Sequence, residues 1–144
     1  IGGEIIVKGK NKTGADWSVG IIKPPPYLGA ATSSDFEIIL RLKGKTAIAT
    51  SGNYNNYRSI NGKRYGHAIN PLTGYPTDNS ILSATVIAPD CTTADAYATA
   101  IMAVEADKLE ELLQTNDTLE YYILYLDEQE NYQVKQSKGM KEYA

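Results

Sequence analysis

Asp95 and Thr99 are the pair whose types and spacing most directly suggest chemistry. They lie in Thr92-Thr93-Ala94-Asp95-Ala96-Tyr97-Ala98-Thr99-Ala100, an alanine-rich stretch without Gly or Pro. If it is helical, residues four apart share one face, with Cβ atoms about 5–6 Å apart. A carboxylate and a hydroxyl so placed can share a hard cation, which takes oxygen ligands. Magnesium asks for only one or two protein carboxylates and leaves its other positions to water and substrate phosphates. The flanking alanines would let a bulky substrate or another backbone come close. The same residues also fit a plainer pattern. Thr92 as N-cap with an acidic residue three positions on approximates a capping box, which needs no ligand. On spacing alone the cap is the commoner reading, because caps end many helices and metal sites few. Thr99 would then bond its own helix backbone.

A second group surrounds His67, the one histidine. It stands in Tyr65-Gly66-His67-Ala68-Ile69-Asn70-Pro71-Leu72-Thr73-Gly74-Tyr75-Pro76, an irregular loop shaped by two glycines and two prolines. Such loops on a rigid scaffold often carry binding groups, although a lone histidine is more often structural than a base. Gly2-Gly3 and Ser51-Gly52 place small residues at strand ends, where glycine either makes a bulge or lets a ligand touch the backbone. No G-x-G-x-x-G or Walker sequence accompanies them. The 11 Tyr against one Phe offer amphipathic aromatic surface, suited to strand packing or to ligand stacking.

These residues must be held by something, and the chain supplies short β-rich segments first. Strands are expected at Glu4–Val7, Trp17–Ile22, Phe36–Leu42 and Thr46–Thr50, with Pro24-Pro25-Pro26 as an extended loop because proline cannot continue a ladder. Tyr57–Ile60, Asn61-Gly62 and Lys63–Tyr65 predict a two-residue hairpin, since Asn-Gly tolerates the positive φ of a type I′ turn. Ile81–Ala88 reads as a buried strand, Thr92–Val104 as a helix, and Asp107–Leu113 as a second, amphipathic helix. Glu120–Asp127 and Tyr132–Gln136 close the chain as a strand pair. Strands, then two helices, then strands predict an α+β fold, a mainly antiparallel sheet with a pair of helices, rather than a βαβ repeat.

Composition bounds the partners. The chain has 144 residues, with 14 Lys plus Arg against 17 Asp plus Glu and a net charge of −3. That suits one domain and offers no basic stripe for nucleic acid. One cysteine and one histidine exclude a Cys/His zinc cluster. No run approaches the roughly 18–20 apolar residues of a membrane helix. The chain opens on Ile1-Gly2-Gly3 rather than methionine, so a piece of something longer is expected.

Taken together the motifs resemble the ApbE family. Gly2-Gly3-Glu4 and Trp17-Ser18-Val19-Gly20-Ile21 resemble its middle, and Ser51-Gly52-Asn53-Tyr54 followed by Gly62 to Pro76 resembles its most recognisable stretch. Ala84 to Ala100 resembles its metal-site helix, and the likeness runs from residue 1 to about residue 136. The resemblance implies an ApbE-like, T-fold-related architecture, with residues 1–144 as the C-terminal portion of a single ApbE-type domain and its N-terminal portion absent. It implies an FAD:protein FMN transferase. Such an enzyme splits the FAD pyrophosphate, releases AMP and joins FMN to a threonine or serine hydroxyl of an acceptor flavoprotein, with Mg²⁺. Family members usually face the outside of the cytoplasmic membrane (periplasm or outer face), lipid-anchored. By position, Asp95 and Thr99 match the family's metal ligands, which favours the metal reading over the cap. His67 and Ile69 match its flavin-contacting loop, and Gly2, Gly3, Ser51 and Gly52 match strand ends at the cofactor cleft. His67 is also a candidate base. Where some members carry a second carboxylate this chain has Ala98, which leaves the number of protein ligands open. An FAD pyrophosphatase, a non-catalytic flavin-binding fragment and a structural domain in which Asp95 only caps a helix are the alternatives.

Overall fold

A computed structural model of the chain describes residues 3–23, 36–53, 57–60, 63–66, 68–77 and 79–144. Its frame is a five-stranded sheet built from β1 (Ile5–Lys8), β4 (Lys45–Gly52), β7 (Ile81–Ala88), β8 (Glu120–Leu126) and β9 (Tyr132–Gln136), in the spatial order β1-β4-β7-β8-β9. Every neighbouring pair is antiparallel. Between β1 and β4 the chain leaves the sheet to form a separate antiparallel ribbon, β2 (Trp17–Ile22) with β3 (Phe36–Leu42). Between β4 and β7 it makes the hairpin β5 (Tyr57–Ile60) with β6 (Lys63–Gly66). The expected hairpin is therefore present; its Asn61-Gly62 turn, the Pro24-Pro25-Pro26 loop, Gly2 and His67 lie outside the described residues.

Two apolar layers flank the sheet. Central strand β7 is buried along almost its whole length, as a strand covered on both faces must be. On one face Ala49, Ala84, Val86, Ala88 and Ile123 pack against α1 (Cys91–Ala103), which contributes Ala94, Ala98, Ile101 and Met102. Those four positions follow the i, i+4, i+7, i+8 spacing of one helix stripe. On the other face Ile48, Ile87, Tyr122 and Leu124 meet Ile21, Leu40 and Leu42 of the ribbon, with Met140 closing the cluster. Alternation along β8 sends Ile123 to the helix side and Tyr122 and Leu124 to the ribbon side, the period of two that a strand imposes. The α+β architecture expected from element order is the one observed. No helix among the described residues is long and apolar enough to cross a membrane.

Two local expectations are corrected. Asp90, in extended backbone (φ −145°, ψ 158°), caps α1. Its Oδ1 accepts from the Thr93 backbone N–H at 2.8 Å, and its Oδ2 accepts from the Thr93 hydroxyl at 2.9 Å. Thr92 is thus inside the first turn and Asp95 has no capping position. β7 ends at Ala88, and Pro89 holds the turn at its fixed φ, so the first residue able to cap is Asp90. The second helix is shorter than expected. Ala106–Lys108 form a 3-10 turn, and α2 spans only Leu109–Leu113.

Two titrations follow from this packing. The Thr93 backbone N–H, and after it the Thr93 hydroxyl, hold the Asp90 carboxyl below its ordinary 3.8. A depressed folded pKa contributes stability that is complete above that value and is lost as pH falls through the folded pKa. Thermal unfolding followed from neutral pH down through pH 3.8 should therefore show an acid-labile component that Asp90→Asn removes. On the ribbon side, burial pushes the Tyr122 phenol up to about 12, with the Glu37 carboxylate that accepts its hydrogen bond at 3.2 Å adding to the shift. A raised folded pKa contributes stability that is complete below pH 10 and is lost as pH rises towards about 12. Tyrosinate absorbance should show late-titrating tyrosines, Tyr122 and Tyr143 among them, and Tyr122→Phe should remove the Tyr122 component.

Among the described residues five tyrosines serve packing, Tyr143 against the ribbon-side core among them. Tyr97, Tyr121 and Tyr125 lie against the helix-side core and Tyr122 in the ribbon-side core. The amphipathic aromatic surface read from composition is, at these positions, strand and helix packing.

Candidate functional site

The helix that carries Asp95 and Thr99 is placed by its alanines. Ala94 and Ala98 are fully buried against the sheet, and with only a methyl at each position the helix axis can approach β4 and β7 closely. Asp95 and Thr99 each follow one of those alanines, so each stands about 100° round the axis from the alanine before it. Both side chains are exposed. Thr99 does not stop at its own backbone. Its hydroxyl lies 3.2 Å from the Ser51 hydroxyl at the end of β4. The fold thus joins two residues 48 positions apart in sequence that had been singled out separately, one for a metal and one for a cofactor cleft.

Neighbouring groups extend the polar edge. Gly3 has φ +110°, and a Cβ built on it would stand 3.5 Å from the Thr50 carbonyl oxygen, so the start of the chain runs beside the residue before Ser51. Thr50 shares a hydroxyl–hydroxyl bond of 2.8 Å with Thr85. Gly52 pairs with Ser83 across the ladder, and the buried Ser83 Oγ has no hydrogen-bond partner among the described residues. A buried hydroxyl left unpaired costs about 1–3 kcal/mol, so this end of β4 and β7 holds spare hydrogen-bonding capacity. Asn53 fixes the exit from β4, its backbone N–H donating to the Leu82 carbonyl at 3.1 Å and its Nδ2 to the Ile81 carbonyl at 2.9 Å.

These oxygens can be tested against a metal. Asp95 supplies one carboxylate, relieved of capping by Asp90, and Thr99 and Ser51 supply two hydroxyls. Among the described residues no cluster of three His, Cys, Asp or Glu side chains exists. A single carboxylate with neutral oxygens fits magnesium, which keeps several waters and substrate phosphates in its shell. Ala98 is 0% exposed and packs in the core between α1 and the sheet.

Ile69 occupies a separate loop, 49% exposed and bridged to Pro76. That loop is anchored near the C-terminal end of α1 by residues that sequence reasoning did not single out. Thr77 Oγ1 donates to the Met102 carbonyl at 3.0 Å, and Asn79 Nδ2 donates to the carbonyls of Met102 and Val104 at 3.1 and 2.9 Å. No local sequence signal could have found them, because they lie 23 to 25 residues from the carbonyls they satisfy.

The sequence profile of the ApbE family matches residues 1–123. The chain belongs to the ApbE family. A Vibrio cholerae protein named FAD:protein FMN transferase is 39% identical over 144 residues, all of this chain and 38% of the relative. The protein of that name from Haemophilus influenzae is 39% identical over 127 residues, 88% of this chain and 35% of the relative. Among solved structures, the flavin transferase ApbE from Vibrio cholerae superposes with a TM-score of 0.76 at 29% identity, over 100% of this chain and 43% of that one. The ApbE protein from Thermotoga maritima gives 0.76 at 31% identity, over 99% and 42%. The chain therefore spans little more than a third of the length of these two curated relatives, and the ApbE portion it represents includes the β4 end and α1.

Proposed function

We propose that this ApbE-family chain supplies the metal-helix portion of a flavin transferase. The polypeptide carrying it would move FMN from FAD to a threonine or serine hydroxyl of an acceptor flavoprotein, with Mg²⁺. The observation that carries the reading is the meeting of Ser51 and Thr99 at 3.2 Å one helical turn from an uncommitted Asp95. Family membership supports the transfer itself, since these relatives are named FAD:protein FMN transferase. In this reading the chain is the C-terminal portion of one ApbE-type domain, and its working place is the outer face of the cytoplasmic membrane, held by a lipid.

The reaction is a substitution at phosphorus. The acceptor hydroxyl oxygen bonds to the FMN-side phosphorus of the pyrophosphate, the bond from that phosphorus to the bridging oxygen breaks, and AMP leaves with that oxygen. Asp95, Thr99 and Ser51 are the side chains that would hold Mg²⁺, which when bound supplies positive charge against the pyrophosphate oxygens. Gly2, Gly3 and Gly52 border the flavin nucleotide, where the lack of a side chain at each admits it closely. In this reading His67 and Ile69 would contact the flavin, and His67 is also the candidate to receive the acceptor proton.

The test incubates the full-length polypeptide carrying these residues with FAD, Mg²⁺ and a threonine-containing acceptor domain. A covalent FMN mass increment on the acceptor together with AMP release is the expected result. Steady release of AMP and FMN without an adduct would instead identify a pyrophosphatase. Absence of both would leave a non-catalytic flavin-binding module and overturn the reading.

A further inference from the structure

We infer that the Asn70–Glu105 hydrogen bond is a latch that fixes the Ile69 loop relative to the Asp95–Thr99 helix, which makes Asn70 and Glu105 positioning residues for flavin transfer. The inference rests on the function proposed above and adds residues that it does not use. Asn70 is polar yet only 4% exposed. Its Nδ2 donates to Glu105 Oε1 at 2.7 Å, the short distance of a charge-assisted bond. Its Oδ1 accepts from the Leu72 backbone N–H at 2.8 Å. Its backbone N–H donates to the Tyr75 carbonyl at 2.9 Å, and its carbonyl accepts from the Gly74 N–H at 2.8 Å. One side chain and its own peptide groups thus close the whole turn from Leu72 to Tyr75.

The turn is closed, but closure alone would not tell it where to sit. Glu105 lies two residues beyond the last residue of α1, and the Thr77 and Asn79 bonds to Met102 and Val104 join the same helix end. From Met102 back to Thr99 is three residues, about 4.5 Å along the axis. The loop is therefore referenced to the helix that bears the candidate metal ligands, not merely to the sheet. Chemistry also explains the amide. An aspartate at position 70 would set a second carboxylate against Glu105 with no proton between them, so the pairing requires one donor and one acceptor.

The test exploits that asymmetry in the full-length polypeptide. Asn70→Asp should lower kcat for FMN transfer by about tenfold or more, since misplacement by about 1 Å can cost about a hundredfold. Glu105→Gln keeps an acceptor oxygen and should change little. The double variant Asn70→Asp with Glu105→Gln restores one donor and one acceptor in reversed order, and should recover kcat to within about threefold. Amide hydrogen exchange gives a readout independent of turnover: protection at Leu72 and Gly74 should fall in Asn70→Asp and return in the double variant. If Asn70→Asp does not fold, Glu105→Ala removes the latch without adding charge and should show the same loss of kcat and protection. Wild-type kcat in Asn70→Asp or Glu105→Ala, or no rescue in the double variant, would overturn the latch. A wild-type polypeptide that transfers no FMN would overturn the functional reading instead, while the exchange experiment would still decide whether the latch exists.

Discussion

Asp95→Asn should lower Mg²⁺-dependent turnover by about a hundred- to thousandfold, the loss typical when one preorganised charge-stabilising contact is removed from an active site, and should leave the fold intact. The amide keeps one oxygen in nearly the same place but removes the only carboxylate among the three oxygen side chains at the site. Mg²⁺ affinity should fall with turnover, measured by metal titration of the full-length polypeptide. Stability should hold because Asp95 is exposed and the cap belongs to Asp90. The buried stripe of Ala94, Ala98, Ile101 and Met102 is also untouched. Thr99→Ala and Ser51→Ala remove neutral ligands and should cost less. Retention of Mg²⁺-dependent activity in Asp95→Asn, or a large drop in its melting temperature, would remove Asp95 from the metal site.

Ala98→Asp should strongly destabilise the protein rather than add a ligand. Ala98 is 0% exposed in the cluster between α1 and the sheet, and among the described residues of that cluster there is no cation to pair with a new carboxylate. An uncompensated buried charge costs about 3–5 kcal/mol, set against a total stability of about 5–15 kcal/mol for an ordinary domain. Urea unfolding should show the midpoint collapse, and Mg²⁺ should not restore it. An Ala98→Asp protein that melts like the wild type and binds Mg²⁺ more tightly would show that position 98 can turn towards the site.

Much of the frame was legible in the residues. Phe36–Leu42 and Trp17–Ile22 form strands at the expected bounds, because apolar and β-branched runs bounded by turn residues leave little choice. α1 starts one residue before the expected position and ends one before the expected end. The cap was misplaced because Asp90 and Thr92 are both good capping types; the choice between them is made by where β7 releases the chain, a tertiary fact. The Asp95–Thr99 spacing was visible as a possible ligand pair, since i and i+4 share a face in any helix. Its junction with Ser51 was not, because that contact depends on how closely two buried alanines let α1 approach β4. Asn70 and Glu105, 35 residues apart, carry no local signature of being partners. Such contacts belong to packing, and a motif of a few residues cannot contain them.

The sheet order β1-β4-β7-β8-β9 has a further consequence for how this scaffold can change. β1 and β4 are ladder neighbours, as are β4 and β7, yet each pair is separated in sequence by an excursion that returns the chain to the same ladder. Closing a flexible excursion costs free energy that grows only with the logarithm of its length, about 0.6 kcal/mol per doubling. Insertions and deletions in the loops of the two excursions can therefore accumulate while the register between β1, β4 and β7 stays fixed, provided the ribbon keeps Ile21, Leu40 and Leu42 in the core. Ser51 and α1 belong to this frame, and Ile69 to an excursion tied to it through Asn70, Thr77 and Asn79. Substrate preference can diversify in the second without moving the first, and a chimera that exchanges the β4-to-β7 excursion between relatives should keep the Ser51–Thr99 contact.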